Sequence, residues 1–238
     1  MRKKIVNWIR KQMKETKAKG LVLGLSGGID SLVVAVLAKE AVGKKKLLVL
    51  ILNCHSSKED LEDAELIIKR FKLNSKTIDL SKIYDALVKI LPKANRISYA
   101  NLKPRLRMLV LYYFANKLNY LVCGTQNRSE RQIGYFTKFG DAAVDILPIG
   151  GLLKKEVKEL AKELGVPGHI IDKPPSAGLW PNQTDEKEIG MSYSELDDIL
   201  ECLGNRKEQI LSRKKVEKVK FMIKRSEHKR REPKICYI

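Results

Sequence analysis

The chain lacks the features of membrane proteins and of disulfide-rich secreted domains. No apolar run among its 238 residues approaches the roughly 20 residues that a membrane-spanning helix needs. The basic N-terminus has neither the apolar segment nor the cleavage site of a signal peptide. The cysteines form no C-x-x-C pair: Cys54, Cys123, Cys202 and Cys236. Cysteine-based metal sites and a disulfide framework are therefore disfavoured, and we expect a cytoplasmic location.

Aromatic and acidic residues are also scarce. Aromatic residues make up 6% of the chain, and 28 acidic residues face 47 lysines and arginines, so that the formal net charge is +19. Such a charge attracts phosphate polymers, which raises the possibility of nucleic-acid binding. No strip of aromatic and basic residues suited to stacking bases is present. We expect no nucleic-acid partner, because a basic surface equally suits an enzyme with phosphate-rich substrates.

The most informative segment is a glycine-containing turn between a predicted strand, 21–25, and a predicted helix. It consists of Gly24, Leu25, Ser26, Gly27, Gly28, Ile29, Asp30 and Ser31. Backbone N–H groups converge at a helix N-terminus, the helix dipole favours negative charge, and glycines let the backbone approach an oxyanion. The segment does not match the Walker A pattern G-x-x-x-x-G-K-[ST]. It predicts a phosphate-binding loop of another kind.

Predicted strands alternate with predicted helices in the first half of the chain. The strands are Leu21–Leu25, Leu47–Leu52, Lys76–Ile78 and Tyr120–Cys123, and the helices are 31–42, 60–71, 83–91 and 102–118. This alternation predicts a parallel sheet with helices on both faces. Ligands of such sheets bind beyond the carboxyl ends of the strands, where the glycine-containing loop must lie.

We expect a single domain, 1–238, with an α/β core over 20–165 and a loop plus helical C-terminal part over 166–238. The segment 173–188 predicts an ordered loop, and helices follow at 194–202 and 213–225 before an irregular basic tail, 226–238. At the other end of the chain, one apolar helix face is predicted by Ile5, Trp8, Ile9 and Met13.

Further segments of the sequence, taken in their order along the chain, resemble those of a known protein family. They are Asn101–Met108, Gly124–Glu130, Gly134–Asp141, Leu147–Ile149, Pro175–Trp180, Gln183–Glu186 and Ser226–Arg230. In this order and spacing they resemble the ammonia-dependent NAD synthetases, which belong to the N-type ATP pyrophosphatases. The glycine-containing loop identifies only that superfamily. The Tyr-Phe-Thr-Lys-x-Gly-Asp segment, 135–141, and Gln183–Glu186 are more specific, and the resemblance runs from about residue 21 to 230.

The resemblance implies a Rossmann-like three-layer fold of the adenine-nucleotide alpha-hydrolase type and a two-step reaction. The nicotinate carboxylate of deamido-NAD attacks ATP and forms an adenylate with release of pyrophosphate. Ammonia then displaces AMP and yields NAD, the final step of NAD biosynthesis. Glutamine-using relatives carry an N-terminal amidase domain with a nucleophilic cysteine. Because about twenty residues without cysteine precede the first strand here, free ammonia or ammonia from a separate protein is expected.

The resemblance also implies roles for individual residues. ATP contacts the loop, 24–31, together with Thr125, Lys154 and Ser176, and Mg²⁺ is held by Asp30 and Glu130. Carboxylates and phosphate oxygens are typical magnesium ligands, and Asp30, Glu130 and Lys154 form the catalytic set. From the residues alone, Lys154 at a helix start reads as an ordinary surface lysine.

Deamido-NAD is expected to contact five residues in the family pattern: Arg105, Lys138, Asp145, His228 and Lys229. Cations suit its phosphates, and a carboxylate suits its hydroxyl groups. His55 and His169 match no functional position and are expected to be structural. Relatives of this size are homodimers, which implies the same here.

Two segments, 134–141 and 174–188, are expected to act as lids that are mobile without ligand and exclude water from the adenylate. Ile133, Ala142, Gln126 and Pro104 depart from the family pattern and leave the shape of the nicotinate pocket open.

Two alternatives remain. One is another ATP pyrophosphatase, such as a tRNA-modifying thiolase or a lysidine-type ligase, which the positive charge favours. The other is a nucleotide- or nucleic-acid-binding module without turnover, although the charged residues that it would have lost are present.

Overall fold

The centre of the computed structural model, which describes residues 1–205 and 212–236, is a four-stranded parallel sheet. The strands are β1 (Gly20–Gly24), β2 (Leu47–Asn53), β3 (Ser75–Asp79) and β4 (Tyr120–Val122). Their order is β3-β2-β1-β4, and every neighbouring pair is parallel. The connections run outward in opposite directions from β1, which creates a topological switch point between β1 and β4. The predicted parallel α/β architecture is confirmed.

Helices surround this sheet and extend beyond it. They are α1 (Arg2–Thr16), α2 (Ile29–Val42), α3 (Lys58–Arg70), α4 (Ser81–Ile90), α5 (Arg96–Ala100), α6 (Leu102–Leu118), α7 (Arg128–Ile133), α8 (Lys154–Glu163), α9 (Gly168–Asp172), α10 (Asp185–Ile189), α11 (Tyr193–Asn205) and α12 (Arg213–Arg225). Short 3₁₀ turns occur at Lys44–Lys46 and Glu227–Lys229. In the described part of the chain, no helix is both long and apolar enough to cross a membrane.

Both faces of the sheet are buried at β1 and β2, which explains why these two strands are continuous apolar runs rather than alternating ones. Leu21 and Leu23 of β1 face a core that also contains α1, α2 and α8, whereas Val22 faces the core beneath α6. The same alternation divides β2 between the two cores. A third apolar cluster joins α7 to α11 and α12 and fixes the C-terminal helices against the end of the sheet.

The N-terminal helix differs from its prediction at one position. Ile5 and Ile9 are buried in the core, and Met13 packs against it, but Trp8 is 39% exposed. Val6 is buried instead, so the apolar stripe widens on the side of the helix away from Trp8. The predicted helices in the C-terminal part are present as α11 and α12, while the single-domain description of 1–238 stays a prediction.

Candidate active site

The glycine-containing loop joins β1 to α2 at the carboxyl edge of the sheet. Gly27 has φ +85°, and a side-chain carbon there would lie 2.3 Å from the carbonyl oxygen of Asp60. The Ser31 hydroxyl accepts from Ser26 N at 3.2 Å and donates to Gly28 O at 2.9 Å. Only glycine fits this left-handed, crowded position, and the serine contacts preform the loop. Its position at the start of α2 directs backbone N–H groups toward an anion.

A buried lysine lies between two carboxylates beside this loop. Lys154, at the start of α8, is 2% exposed. Its Nζ contacts Asp30 Oδ2 of α2 and lies 3.5 Å from Glu130 Oε1 of α7. Lysine is almost never this buried unless paired, so the surface position that the local pattern suggests is wrong. The side chain is buried because α8 packs directly on α2 and brings its first turn to the edge of the sheet.

Burial and mutual charge shift the proton affinities of this group. Burial, followed by the charge of Asp30, raises the pKa of Glu130 to about 8. Burial on its own would lower the pKa of Lys154, but the negative charges of Asp30 and Glu130 raise it above its ordinary value. The lysine is therefore held as a cation, while Glu130 retains a proton more strongly than an exposed glutamate.

Asn127 connects the two carboxylates and was not identified as a site residue by the sequence analysis. Its Oδ1 accepts from Glu130 N at 3.0 Å and its N–H donates to Glu130 Oε2 at 3.4 Å, which forms a capping box at the start of α7. Its Nδ2 donates to Asp30 Oδ1 at 3.0 Å. The signal that could have found it is the Asn-x-x-Glu spacing of the capping box.

Asp185 and Tyr193 complete the cluster and were also missed. The Tyr193 hydroxyl donates to Asp185 Oδ2 at 3.1 Å and lies 3.5 Å from Glu130 Oε1. The Nζ of Lys154 lies 5.1 Å from the centre of the Tyr193 ring. Asp185 is 4% exposed, its Oδ1 has no hydrogen-bond partner, and burial raises its pKa. Its sequence motif, Gln183–Glu186, carried the resemblance, but the electrostatic interaction of Asp185 with Lys154 depends on tertiary packing.

A second group of cations lies around the segment 134–141. Arg105 Nη2 of α6 donates to Lys138 O at 3.3 Å, and Lys138 Nζ donates to His228 O at 2.7 Å. Lys229 Nζ donates to Gly134 O and Phe136 O, each at 2.8 Å. The structure therefore brings together four of the five residues that the sequence analysis associates with deamido-NAD.

Asp145, the fifth, is engaged elsewhere. Its carboxylate accepts from Val122 N at 2.7 Å and from the Tyr112 hydroxyl at 3.2 Å, beside the end of β4. Thr125 follows β4 and is half-buried, whereas Ser176 is exposed and its Oγ accepts from Gly178 N at 3.1 Å. None of these hydrogen bonds connects Asp145 or Ser176 to the Lys154 cluster.

Both predicted lid segments make contacts with the α5–α6 region. Thr137 donates to Asn101 Oδ1 at 2.6 Å, and Lys103 Nζ donates to Leu179 O at 2.8 Å. The Arg96 guanidinium lies 4.5 Å from the centre of the Trp180 ring. These contacts order the segments in the structure as described, and their mobility without ligand stays a prediction.

The departures from the family pattern occupy well-packed positions. Buried Gln126 donates to Asp141 Oδ2 at 3.0 Å and so fixes the end of the segment 134–141. Ile133 and Pro104 are buried. The two other histidines contact carboxylates outside the Lys154 cluster: His55 lies 2.8 Å from the exposed Asp85, and His169 lies 3.2 Å from the buried Asp63.

Comparison with known proteins extends these observations. A family model described as NAD synthase matches residues 1–233. A protein from Carboxydothermus hydrogenoformans, named NH₃-dependent NAD⁺ synthetase, is 48% identical over 237 residues, which cover 98% of this chain and 95% of that protein. The structure of an NMN synthetase from Francisella tularensis superimposes with a TM-score of 0.91 at 40% identity and covers 100% of this chain and 97% of that one.

An NH₃-dependent NAD synthetase from Campylobacter jejuni superimposes with a TM-score of 0.87 at 32% identity, covering 99% of this chain and 97% of that one. Similarity over nearly the full length therefore accompanies the glycine-containing loop and the buried Lys154 cluster. This combination makes the chain a member of the NAD synthase family.

Proposed function

We propose that the chain catalyses the ATP-dependent amidation of deamido-NAD to NAD with ammonia, and releases AMP and pyrophosphate. The observation that carries the proposal is the buried Lys154 cluster, which lies next to a preformed phosphate-binding loop at the switch point of a parallel sheet. Open α/β sheets bind their ligands at this point. Relatives that match nearly the whole chain carry the name NH₃-dependent NAD⁺ synthetase.

In this proposal the loop 24–31 holds the ATP phosphates through backbone N–H groups at the start of α2, with Thr125 and Ser176 as further contacts. The nicotinate carboxylate forms a bond to the α-phosphorus, and the bond from that phosphorus to the pyrophosphate oxygen breaks. The ammonium group of Lys154 stabilises the negative charge that moves onto the leaving pyrophosphate. Its burial strengthens this effect because little water screens the charge.

We further propose that carboxylates of the cluster hold a divalent cation, although the described residues contain no preformed group of three or more ligand side chains. Asp30, Glu130 and Asp185 together carry three carboxyl groups against the single ammonium of Lys154, and Asp185 Oδ1 lacks a donor. Oxygen ligands of this kind, together with phosphate oxygens and water, suit Mg²⁺. We assign Asp30 and Glu130 as its protein ligands. When bound, Mg²⁺ supplies positive charge to the phosphate oxygens.

Arg105, Lys138, His228 and Lys229 are proposed to bind the phosphates of deamido-NAD, since hydrogen bonds connect this group, which includes three cations, across three different parts of the chain. Asp145 is proposed as an acceptor for its hydroxyl groups. The segments 134–141 and 174–188 would then cover the adenylate. Ammonia attacks the activated carbonyl carbon, AMP leaves with the bonding electrons, and the excess proton passes to solvent.

A homodimer is supported by an apolar surface on α4 and α6. The helix α4 has no buried residues although one of its faces is apolar, and Ile83 and Ile90 are 55% and 79% exposed. On α6, Leu109 and Tyr113 are 63% and 56% exposed and follow Arg105 at intervals of four residues on one face. We propose that a second copy of the chain covers this surface, next to the deamido-NAD site.

A cytoplasmic location is proposed because Cys54 and Cys123 are buried thiols that form no disulfide. Disulfides are rare in proteins of reducing compartments.

A second candidate substrate is the deamido mononucleotide, because the Francisella tularensis NMN synthetase is similar over the whole chain. NMN is the mononucleotide half of NAD, and it would use the same adenylation chemistry. We favour the dinucleotide since relatives at 44–48% identity are named for NAD.

The test is to mix the purified protein with ATP, Mg²⁺, ammonium and either deamido-NAD or nicotinate mononucleotide, and to follow the amide product, AMP and pyrophosphate together. NAD that forms in step with AMP, and only when ammonium and deamido-NAD are both present, supports the proposal. Preferential turnover of the mononucleotide would replace it with the second candidate. Asp30→Asn and Glu130→Gln are expected to abolish AMP formation with the fold retained, whereas near-normal turnover would remove that carboxylate from the metal assignment.

A further inference from the structure

Asp197 of α11 is a fully buried carboxylate that lies behind the Lys154 cluster. It is 0% exposed, and its Oδ1 accepts a very short hydrogen bond from the Ser129 hydroxyl. Its Oδ2 accepts from Lys155 N at 2.8 Å. Ser129 is also fully buried, and its Oγ accepts from Lys154 N at 3.0 Å. A buried aspartate is rare unless its oxygens are fully hydrogen-bonded, as they are here.

These contacts provide the N-terminal cap of α8. Leu153 occupies the N-cap position and has no side-chain acceptor for the free N–H groups of the first turn. The Ser129 hydroxyl and the Asp197 carboxylate, from two other helices, accept from the first two of these groups, those of Lys154 and Lys155. The positive end of the helix dipole further stabilises a carboxylate at this place. The Ser129 hydroxyl and backbone N–H groups partly offset the cost of burying Asp197, whose pKa burial still raises above its ordinary value.

The same contacts act on the residues that carry the proposed chemistry. Ser129 immediately precedes Glu130 in the chain, and its hydroxyl oxygen accepts the hydrogen bond from the backbone N–H of Lys154. A second link, from Arg128 N to Leu152 O at 2.7 Å, joins the same two helix starts. Asp197 is therefore one of the groups that connect α7 to α8, where Lys154 Nζ lies 3.5 Å from Glu130 Oε1.

We propose that Asp197 is a positioning residue, which acts through Ser129 and the first turn of α8 to hold Glu130 and Lys154 in their reactive arrangement. It contacts neither side chain directly. The inference rests on the proposed function, and it assigns to the C-terminal helix α11 a part in the reaction beyond covering the end of the sheet.

The chain offers a matched control in the next residue. Asp198 has a side chain that is 46% exposed and forms an ion pair with Lys155 Nζ at 3.5 Å. Asp197→Asn keeps the shape of the side chain, but its amide group cannot accept from both Ser129 and Lys155. Ser129→Ala removes the intermediate hydroxyl, while Asp198→Asn makes the same chemical change as Asp197→Asn at the surface.

The experiment measures kcat, KM for ATP, KM for deamido-NAD and the melting temperature for each variant, at a temperature where all are folded. Asp197→Asn is expected to lower kcat about 100-fold with both KM values within about threefold, because a displacement of about 1 Å is enough for such a loss. Ser129→Ala is expected to lower kcat at least about 10-fold, and the double variant no further than Asp197→Asn, because both act on one connection. Asp198→Asn should behave as the wild type.

A kcat within twofold of the wild type for Asp197→Asn, despite a lower melting temperature, would reduce Asp197 to a structural residue and overturn the inference. If Asp197→Asn does not fold, an unchanged kcat in Ser129→Ala overturns it equally. If the wild type and Asp198→Asn form AMP but no NAD, the proposed function fails. The role of Asp197 is then tested by comparing the rates of AMP formation of the wild type and the variants.

Discussion

Replacing Lys154 with methionine tests the central electrostatic argument. Methionine keeps most of the buried aliphatic length but removes the positive charge that lies between Asp30 and Glu130. Removing one partner of a buried ion pair leaves an uncompensated charge and costs about 3–5 kcal/mol. For a chain of this size, each kcal/mol lowers the melting temperature by about 2–4 °C. We therefore expect Lys154→Met to melt about 6–20 °C below the wild type and to form no AMP.

The adjacent lysine is the control. The side chain of Lys155 is 41% exposed and pairs with Glu201 at 2.8 Å. Exposed pairs of this kind contribute about 0.2–1 kcal/mol, so Lys155→Met should melt within about 4 °C of the wild type. The assay is calorimetric melting at pH 7 without ligands, together with AMP formation.

A double variant separates charge from packing. Asp30→Asn removes one of the carboxylates that Lys154→Met leaves uncompensated, so the double variant should lose less stability than the sum of the two single losses. Equal melting temperatures of Lys154→Met and Lys155→Met would refute the view that compensation of buried charge stabilises this site. A stability loss in the double variant equal to the sum of the two single losses would refute it as well.

Three further predictions follow from the same structure. Gly27→Ala should weaken ATP binding and lower stability, because the added Cβ would lie 2.3 Å from Asp60 O. Gly151→Ala should have no effect, because no atom lies within 4 Å of its added Cβ. Equal ATP affinities of the two variants in calorimetric titration would contradict the view that the loop is preformed. Folding raises the pKa of Glu130 from 4.5 to about 8. Between these pH values the folded protein keeps a proton on Glu130 that the unfolded chain has lost. Stability of the ligand-free protein should therefore fall between pH 4.5 and 8, by at most about 1.4 kcal/mol per pH unit, and chemical denaturation of Glu130→Gln should show a flatter profile. Leu109→Glu should convert the dimer to monomers, measured by light scattering, without lowering the melting temperature of the subunit. A dimer that persists in this variant would place the interface elsewhere, and a monomeric wild type would refute the dimer.

The strands and main helices were predictable because their signals are local. Both faces of the sheet are buried at β1 and β2, so these two strands stand out as continuous apolar runs, and the loop between β1 and α2 is marked by adjacent glycines. The error at Trp8 shows the limit of this reasoning. The apolar residues predicted to share one face of α1 could not show how far that face is turned toward the core. The packing of α1 on α2 buries Val6 on one side of this face and leaves Trp8 exposed on the other.

The charged residues of the site were less accessible to local reasoning. Lys154 reads as a surface lysine until the family pattern is considered, and the structure buries it against a carboxylate that lies 124 positions away along the chain. Tyr193 had no sequence signal of function, and Asp185 was marked only as part of the Gln183–Glu186 motif, without a role of its own. Their importance comes from a hydroxyl that lies between two carboxyl groups on separate elements.

By itself, the sequence determined the alternation of strands and helices, the glycine-containing loop and the set of charged residues available for chemistry, because spacing and side-chain type are properties of the chain. Only the tertiary structure decided which of its 28 acidic residues meet the buried lysine and which of its 47 cations gather around the segment 134–141. The physical reason is that charge compensation in a buried site depends on distances of a few ångströms between distant parts of the chain, and these distances are set by how the helices pack.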